Sequence, residues 1–187
     1  MSLYQDAIIA GFGGQGVMLI GNLLAYSAME HGLNVTYIPV CGPEMRGGTA
    51  NCTVVISDED IGSPIIHKPV SLIIMNRPSL DKFQPRLRDE GLQIINSSLV
   101  DSTLADKDRV QTYPVPANEL ADSLGNTRMA NMVALGAYVT ATGILPVKQV
   151  QESLSAVISS RYAKLIPKNM EALQAGADYV QNNGPIQ

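Results

Sequence analysis

A short glycine-rich stretch near the start of the chain has the residue types and spacing that bind anions. Gly11, Gly13, Gly14, Gln15 and Gly16 lie in "GFGGQG", which fits the G-x-G-x-x-G spacing of a dinucleotide-binding turn between a strand and a helix. Glycines there allow a tight bend and the close approach of a ligand or another backbone. The free amides at the start of the following helix favour a negative group. The stretch therefore predicts a site for a phosphate, a carboxylate or a neighbouring backbone.

Binding of NAD or FAD requires more than this turn. Such sites also use an acidic residue at the end of the second strand, roughly 20 residues further on, to hold the ribose hydroxyls. Here "YIPV" at 37–40 supplies no carboxylate, and Glu44 follows a Gly-Pro corner. Arg46 could face the extra phosphate of NADP, although a glycine-rich loop holds it poorly. A free-standing dinucleotide- or flavin-binding oxidoreductase is therefore kept only as the alternative function.

A second candidate loop, "GPEMRGG", follows the second predicted strand. Its candidate residues are Gly42, Pro43, Glu44, Arg46, Gly47 and Gly48. A loop at the carboxyl end of a strand, beside the glycine turn, would lie over the crevice where open α/β sheets bind ligands. Arg46 would then suit a carboxylate or a phosphate. In the simpler interpretation Glu44 and Arg46 pair with each other or with solvent, which contributes little stability.

Three further polar residues begin a later helix. Asn126, Arg128 and Asn131 occur in "NTRMAN". Helix capping explains Asn126, and Arg128 can be solvated. The alternative is that these side chains complete the same anion pocket.

Composition limits the classes of partner. The chain has 187 residues and a formal net charge of -4, which argues against nucleic acid and anionic membranes as partners. Cys41 and Cys52 are not in a C-x-x-C spacing, so the chain alone is expected to hold no metal or iron-sulfur cluster. No apolar run reaches the ~18 residues of a membrane helix, so we predict a cytoplasmic protein. Charged residues are only 16%, typical of a subunit that buries part of its surface.

The elements that must position these residues alternate between strand and helix. Strands are predicted at 7–12, 34–40, 53–56, 61–66, 70–76, 92–98 and 109–116, and helices at 17–31, 79–88, 127–142, 146–159 and 167–180. The first strand, helix and second strand form a predicted βαβ unit, and 53–56 with 61–66 an antiparallel excursion. We predict an α/β fold with a doubly wound, mostly parallel Rossmann-like sheet, this antiparallel β excursion and C-terminal helices. One domain is expected over 1–187, with a loose tail at 180–187.

Three stretches carry a family resemblance that covers nearly the whole chain. They are "GFGGQG", "CGPEMRGGTANCTVVISDEDIGSPI" and "NTRMANMVALGAYV". Together they resemble the gamma subunit of the 2-oxoacid:ferredoxin (acceptor) oxidoreductases. The detail of "GPEMRGGTANC" is most similar to the 2-oxoglutarate and 2-oxoisovalerate types.

The resemblance implies a subunit of an enzyme that oxidatively decarboxylates a 2-oxoacid, forms the acyl-coenzyme A and reduces ferredoxin. It places thiamine diphosphate and magnesium in alpha and beta subunits, and iron-sulfur clusters in beta or a ferredoxin-like delta subunit. This chain would supply no catalytic residue. It would support coenzyme A binding at its surface and assembly with these partners, reaching ferredoxin through the complex. A pure assembly module is the third hypothesis, and an isolated chain could form a homodimer through its uncovered interface.

Overall fold

The computed structural model, which describes residues 2–40 and 49–186, is built on a six-stranded sheet. The strands are β1 (Tyr4–Gly11), β2 (Asn34–Val40), β3 (Ala50–Ser57), β4 (Ser71–Ile74), β5 (Leu92–Asn96) and β6 (Gln111–Val115). Their order across the sheet is β2-β3-β1-β4-β5-β6. β1, β4, β5 and β6 run parallel, while β3 is antiparallel to both β1 and β2. The prediction of a mostly parallel α/β sheet with an antiparallel part is confirmed.

The antiparallel part differs from the predicted excursion. All eight residues of β3 pair with β1 on one side, and Asn51 to Ser57 pair with β2 on the other. β3 therefore lies between β1 and β2, the two strands of the predicted βαβ unit. The predicted strand at 61–66 does not form, and irregular structure occupies these positions. Seven of the eight β3 residues are buried, so this strand has sheet neighbours on both sides and cover on both faces.

Helices cover both faces of the sheet. They are α1 (Val17–Glu30), α2 (Arg77–Phe83), α3 (Ala117–Ser123), α4 (Ala130–Thr142), α5 (Val147–Val157) and α6 (Ile166–Asn183). The larger core contains residues of α1 and of α3 to α6, with inward side chains of β1 and β3 such as Ile9 and Val54. The smaller core, on the other face, contains Leu80 and Phe83 of α2. This arrangement confirms the doubly wound prediction.

α4 is the central helix of the larger core. All residues from Ala130 to Val139 are buried. This agrees with the sequence of the helix, which is apolar on all sides and has no polar face that would turn toward solvent. Its backbone lies directly against that of α6. A Cβ atom on Gly136 would overlap the carbonyl oxygen of Leu173, and one on Gly176 would overlap the carbonyl oxygen of Val133. Glycine at these two positions therefore sets how closely α4 and α6 pack.

A buried polar cluster joins α4 to the sheet. The hydroxyl groups of Tyr138 and Ser71 are 2.8 Å apart, and the Asp6 carboxylate accepts a hydrogen bond from the amide of Val70 at 2.7 Å. Burial, chiefly, raises the pKa of Tyr138 to about 12. The hydroxyl pair thus ties α4 to β4, and the Asp6–Val70 hydrogen bond ties β1 to the residue before β4.

The outer edges of the sheet are β2 and β6, and each contains a proline. Pro39 lies in β2 opposite Cys52, and Pro114 lies in β6 opposite Ile95. The amide of Ile186 donates to the carbonyl oxygen of Thr112 in β6 at 2.8 Å. The end of the described chain therefore lies along the β6 edge.

Several element boundaries differ from prediction. α2 begins at Arg77, two residues before the predicted 79–88 helix, and ends at Phe83, five residues before the predicted end. α3 was not predicted at all. α6 continues to Asn183, so the first residues of the predicted loose tail at 180–187 are helical. Within the described residues, none of the helices combines the length and the apolar character that crossing a membrane requires.

Candidate functional site

The glycine turn connects β1 to α1 and is partly exposed. Gly14 and Gly16 have positive φ angles of 90° and 74°, which few other residues adopt without strain. Gly16 is the N-cap of α1, and no side chain of the described residues hydrogen-bonds the helix start there. A Cβ on Gly13 would have no atom of the described residues within 4 Å. The turn therefore presents backbone and an uncapped helix start, where a negative group is favoured.

Gln15 holds the turn in place. Its Oε1 accepts a hydrogen bond from the Phe12 amide at 2.6 Å, and its Nε2 donates to the Met75 carbonyl oxygen at 3.2 Å. A Cβ on Gly11 would lie 2.6 Å from this Oε1 and 2.9 Å from the Met75 Cβ. Both functional groups of Gln15 are thus used inside the protein, and they tie the turn to the end of β4.

Asn131 joins the starts of α1 and α4. Its Nδ2 donates to the Gly16 carbonyl oxygen at 3.2 Å, and its Oδ1 accepts from the Met132 amide at 2.9 Å. A Cβ on Gly16 would overlap the Asn131 Nδ2, so glycine is required for this contact as well as for its φ angle. The side chain is buried, and its role in the described structure is to hold two helix starts together.

Asn126 and Arg128 lie just before α4 and differ in what they do. The Asn126 side chain accepts a hydrogen bond from the Arg128 amide at 3.0 Å and caps a 3-10 turn at Thr127–Met129. The Arg128 side chain is exposed and forms no ion pair with a carboxylate of the described residues. Capping thus explains Asn126, whereas the Arg128 guanidinium faces outward with its charge available.

A small cavity lies between the glycine turn and Arg128. Its volume is about 110 Å³. The lining residues are Gly14, Gln15, Met75, Asn118, Thr127, Arg128 and Ala130. The structure therefore brings Gly14 and Gln15 of the glycine turn to the same place as Arg128 of "NTRMAN", although Gln15 and Arg128 are 113 residues apart in sequence. Such a cavity is the size of one small group and not of a nucleotide.

A larger cavity of about 390 Å³ adjoins the same helix starts. Asn126, Arg128 and Asn131 line its polar side. The rest of its wall is mainly apolar and comes from α1, the start of α4, the end of α5 and the segment before α6. Arg128 lines both cavities, which makes it the link between them.

The second candidate loop lies outside the described residues. Gly42, Pro43, Glu44, Arg46, Gly47 and Gly48 are among the positions that the structure does not describe. The residues that flank the loop are placed: Val40 ends β2, and Ala50 begins β3 opposite Gly11 in the sheet register. The strands thus enter and leave this loop at the edge of the sheet where the glycine turn lies.

Sheet topology explains why a crevice forms at this edge. β1 and β4 are parallel neighbours, and the helices that follow them pack on opposite faces: α1 in the larger core and α2 in the smaller one. The carboxyl ends of two such strands form the topological switch point, where open α/β sheets bind ligands. Gly14 and Gln15 follow β1, and Met75 follows β4.

Four lining residues of the small cavity are outside the predicted site: Thr127 and Ala130, which adjoin predicted site residues, and Met75 and Asn118, which do not. Met75 directly follows β4, and Asn118 lies three residues beyond the end of β6 and accepts a hydrogen bond from Asn96 at 2.8 Å. The signal for Met75 and Asn118 is position at the carboxyl end of a predicted parallel strand: Met75 is the next-to-last residue of the predicted 70–76 strand, and Asn118 lies two residues beyond the predicted 109–116 strand. That criterion could have found both.

The described residues include one cysteine, and their His, Cys, Asp and Glu side chains are dispersed. They contain no group of three or more His, Cys, Asp or Glu side chains placed to hold a metal ion. Cys52 is fully buried beneath α1, where its thiol donates weakly to the Val17 carbonyl oxygen at 3.5 Å. Burial raises the pKa of this thiol to about 12, so it is neither a nucleophile nor a thiolate ligand at neutral pH.

Comparison with known proteins places this geometry in a family. The sequence profile described as "Pyruvate ferredoxin/flavodoxin oxidoreductase" matches residues 6–179. The chain is 39% identical to ketoisovalerate oxidoreductase subunit VorA of Methanothermobacter marburgensis, over 94% of this chain and 36% of VorA. It is 35% identical to 2-oxoglutarate synthase subunit KorC of Methanothermobacter thermautotrophicus, over 94% of this chain and 95% of KorC. The chain thus spans about a third of VorA and nearly all of KorC.

Solved structures share the fold. The gamma subunit of a keto/oxoacid ferredoxin oxidoreductase from Geobacter sulfurreducens superposes with a TM-score of 0.81 at 27% identity, covering 95% of this chain and 99% of that one. A 2-oxoglutarate:ferredoxin oxidoreductase from Magnetococcus marinus gives a TM-score of 0.86 at 22% identity, over 98% of this chain and 32% of the other. In the longer protein the same fold is one part of a larger polypeptide.

Proposed function

Because the chain belongs to the pyruvate ferredoxin/flavodoxin oxidoreductase family, we propose that it is the gamma-type subunit of a 2-oxoacid:ferredoxin oxidoreductase. We infer that, as one domain over residues 1–187, it supports coenzyme A binding and subunit assembly in the cytoplasm. In the overall reaction a 2-oxoacid and coenzyme A give an acyl-coenzyme A, carbon dioxide and a proton. Two electrons pass to ferredoxin.

The observation that carries the coenzyme A proposal is the pairing of Arg128 with the glycine turn. An exposed guanidinium without an ion-pair partner among the described residues lies beside the uncapped start of α1, across a cavity of about 110 Å³. A phosphate oxygen there would gain a charge-assisted hydrogen bond and the favourable helix dipole. Coenzyme A carries such phosphates, and none of the described residues has an atom near Gly13 that would keep a ligand from its backbone.

The redox cofactors are proposed to lie in other subunits. Thiamine diphosphate and magnesium would be held by alpha and beta, and iron-sulfur clusters by beta or a ferredoxin-like delta subunit. The chemistry of this chain's described residues supports that division, because its placed cysteine is buried and protonated. The resemblance to both VorA and KorC makes 2-oxoisovalerate and 2-oxoglutarate the two proposed substrates.

The test is a substitution in the assembled enzyme. The chain is co-expressed with the thiamine diphosphate-binding subunits that copurify with it, and the KM for coenzyme A is measured for Arg128→Gln. Loss of one charge-assisted contact is expected to raise this KM about tenfold, with kcat less affected. Lys107→Gln is the control, because this exposed lysine lies shortly before β6, at the amino ends of the parallel strands, whereas the cavity lies at their carboxyl ends.

Two outcomes would contradict the proposal. An unchanged KM together with weaker assembly would make the chain an assembly module only. A purified chain that is yellow, or that retains adenine absorbance without coenzyme A, would favour the dinucleotide- or flavin-binding alternative. Arg46→Ala, in the loop outside the described residues, tests the second candidate arginine in the same assay.

A further inference from the structure

An apolar groove runs beside the candidate site on the helical face of the molecule. We define the groove by Leu19, Met132, Val157, Ile158, Tyr162 and Leu165, which line the cavity of about 390 Å³. It crosses α1, the start of α4, the end of α5 and a 3-10 segment at Ser160–Leu165. Its wall is mainly carbon, so it suits apolar groups and not a chain of phosphates.

The apolar surface continues beyond the cavity onto its rim. Leu19, Tyr162 and Leu165 are 38%, 50% and 40% exposed. All six residues of the 3-10 segment Ser160–Leu165 are exposed, and none packs into the core. A small molecule inside the cavity would leave these side chains in water, whereas a polypeptide segment would cover them.

The charges around the groove have one sign. Arg128 lines it, and Arg161 and Lys164 lie on the 3-10 segment, with the Arg161 guanidinium over the Tyr162 ring. None of the three forms an ion pair with a carboxylate of the described residues, and no carboxylate is among the residues lining the groove. We call Arg128, Arg161 and Lys164 the cationic rim of the groove. Its positive charge is opposite in sign to the formal net charge of the chain, which is -4.

We propose that the groove docks a segment of a partner polypeptide that carries apolar side chains flanked by carboxylates. The apolar side chains fill the cavity, and the carboxylates face Arg161 and Lys164. The partner is another subunit of the same enzyme, so this inference rests on the proposed function. Its further support is that the chain matches only 36% of VorA, where the equivalent region is joined to additional polypeptide.

The experiment measures assembly of the full chain with its copurifying partner subunits. In Arg161→Glu/Lys164→Glu the rim becomes acidic, and the dissociation constant for assembly is expected to rise about tenfold or more. The wild-type affinity should fall as salt is raised, and the variant should lose most of this salt dependence. Lys107→Glu/Lys148→Glu makes the same change in net charge away from the groove and should assemble like the wild type.

A second variant tests the apolar contact without changing charge. Leu165→Ser removes an exposed side chain, leaves the backbone carbonyl that accepts from Asn169 in place, and should also weaken assembly. Circular dichroism of each variant shows whether its fold is kept.

The named outcomes separate the possible occupants. Equal assembly by the rim-reversed variant, the control and the wild type would overturn the groove proposal alone. A raised KM for coenzyme A with unchanged assembly would assign the groove to the coenzyme, and loss only of self-association would assign it to a second copy; either overturns the proposal. A wild-type chain that does not assemble with thiamine diphosphate-binding subunits would overturn the proposed function and the groove proposal together.

Discussion

The contact between α4 and α6 makes a strong quantitative prediction about Gly136. The two helices approach so closely that a Cβ at this position would overlap the Leu173 carbonyl oxygen and lie 2.7 Å from its carbonyl carbon. Ordinary carbon-oxygen contacts between helices are about 3.3–3.6 Å. In Gly136→Ala the atoms in conflict are backbone, so no side-chain rotation can relieve the overlap and the helices must separate.

The expected cost follows from that separation. Overpacking a core costs about 1–3 kcal/mol and occasionally more, and a clash with backbone places Gly136→Ala near 4 kcal/mol. The higher helix propensity of alanine offsets about 1 kcal/mol of this cost. The net loss in the free energy of unfolding is therefore about 3 kcal/mol, which would lower the urea midpoint by about 1–2 M.

The assay is equilibrium urea unfolding of the purified chain, followed by circular dichroism. Gly62→Ala is the control, since a Cβ there would have no atom within 4 Å, and its midpoint should match the wild type. In Gly176→Ala the new Cβ would overlap the Val133 carbonyl oxygen in the same contact between α4 and α6. A single separation of the two helices would relieve this clash and the one at Gly136. The double variant should therefore lose less than the sum of the two single losses. A Gly136→Ala protein within about 0.5 kcal/mol of the wild type, or strict additivity, would refute the reasoning.

Three further predictions concern the glycine turn and the buried titratable groups. Gly13→Ala should leave the urea midpoint unchanged, since its Cβ meets no atom, but raise the KM for coenzyme A if the ligand approaches this backbone; an unchanged KM would exclude that approach. Gln15→Leu should lower the free energy of unfolding by about 0.5–1.5 kcal/mol, because the Phe12 amide loses its acceptor at an exposed position where water can replace it; the urea midpoint measures this, and an unchanged midpoint would contradict it. The folded pKa values of Cys52 and Tyr138 are both raised to about 12, from 9.0 and 10.0, so the unfolded chain releases these protons first and stability should fall as pH rises above about 9. Cys52→Ala and Tyr138→Phe should each reduce this decline in unfolding experiments between about pH 8 and pH 11, and an undiminished decline would assign it to other groups.

Local patterns were sufficient to predict the elements that build the site. The apolar run of β1, the helical spacing of α1 and the glycines between them are neighbours in sequence, and the structure has a strand at Tyr4–Gly11 and a helix at Val17–Glu30. The pairing of β3 could not be read in the same way, because choosing β1 over 61–66 depends on contacts distant in sequence. The burial of nearly every β3 side chain does have a sequence signal: "ANCTVVIS" is apolar at alternate and adjacent positions, as in a central strand.

The roles of individual site residues were harder to predict than their positions. Gln15 and Asn131 fitted a ligand site, yet their hydrogen bonds go to the carbonyl oxygens of Met75 and Gly16. Met75 is 60 residues from Gln15, and Gly16 is 115 residues from Asn131, so no local sequence pattern could predict these contacts. Helix α3 was missed because Pro116 was interpreted only as the end of a strand, although a proline is also common at the start of a helix.

The prolines of the two edge strands restrict how this molecule can polymerise or combine with others. Pro39 in β2 and Pro114 in β6 have no N–H to offer an incoming strand, and the Thr112 carbonyl oxygen in β6 is already bonded by Ile186. Addition of a strand from another chain, the simplest route to intermolecular sheets and to aggregation, is thus disfavoured at both ends of the sheet. The helical faces and the loops at the carboxyl ends of the strands remain open to association. The exposed apolar side chains of the helical face, such as Leu19 and Leu165, therefore do not lie along a strand edge that could template fibres.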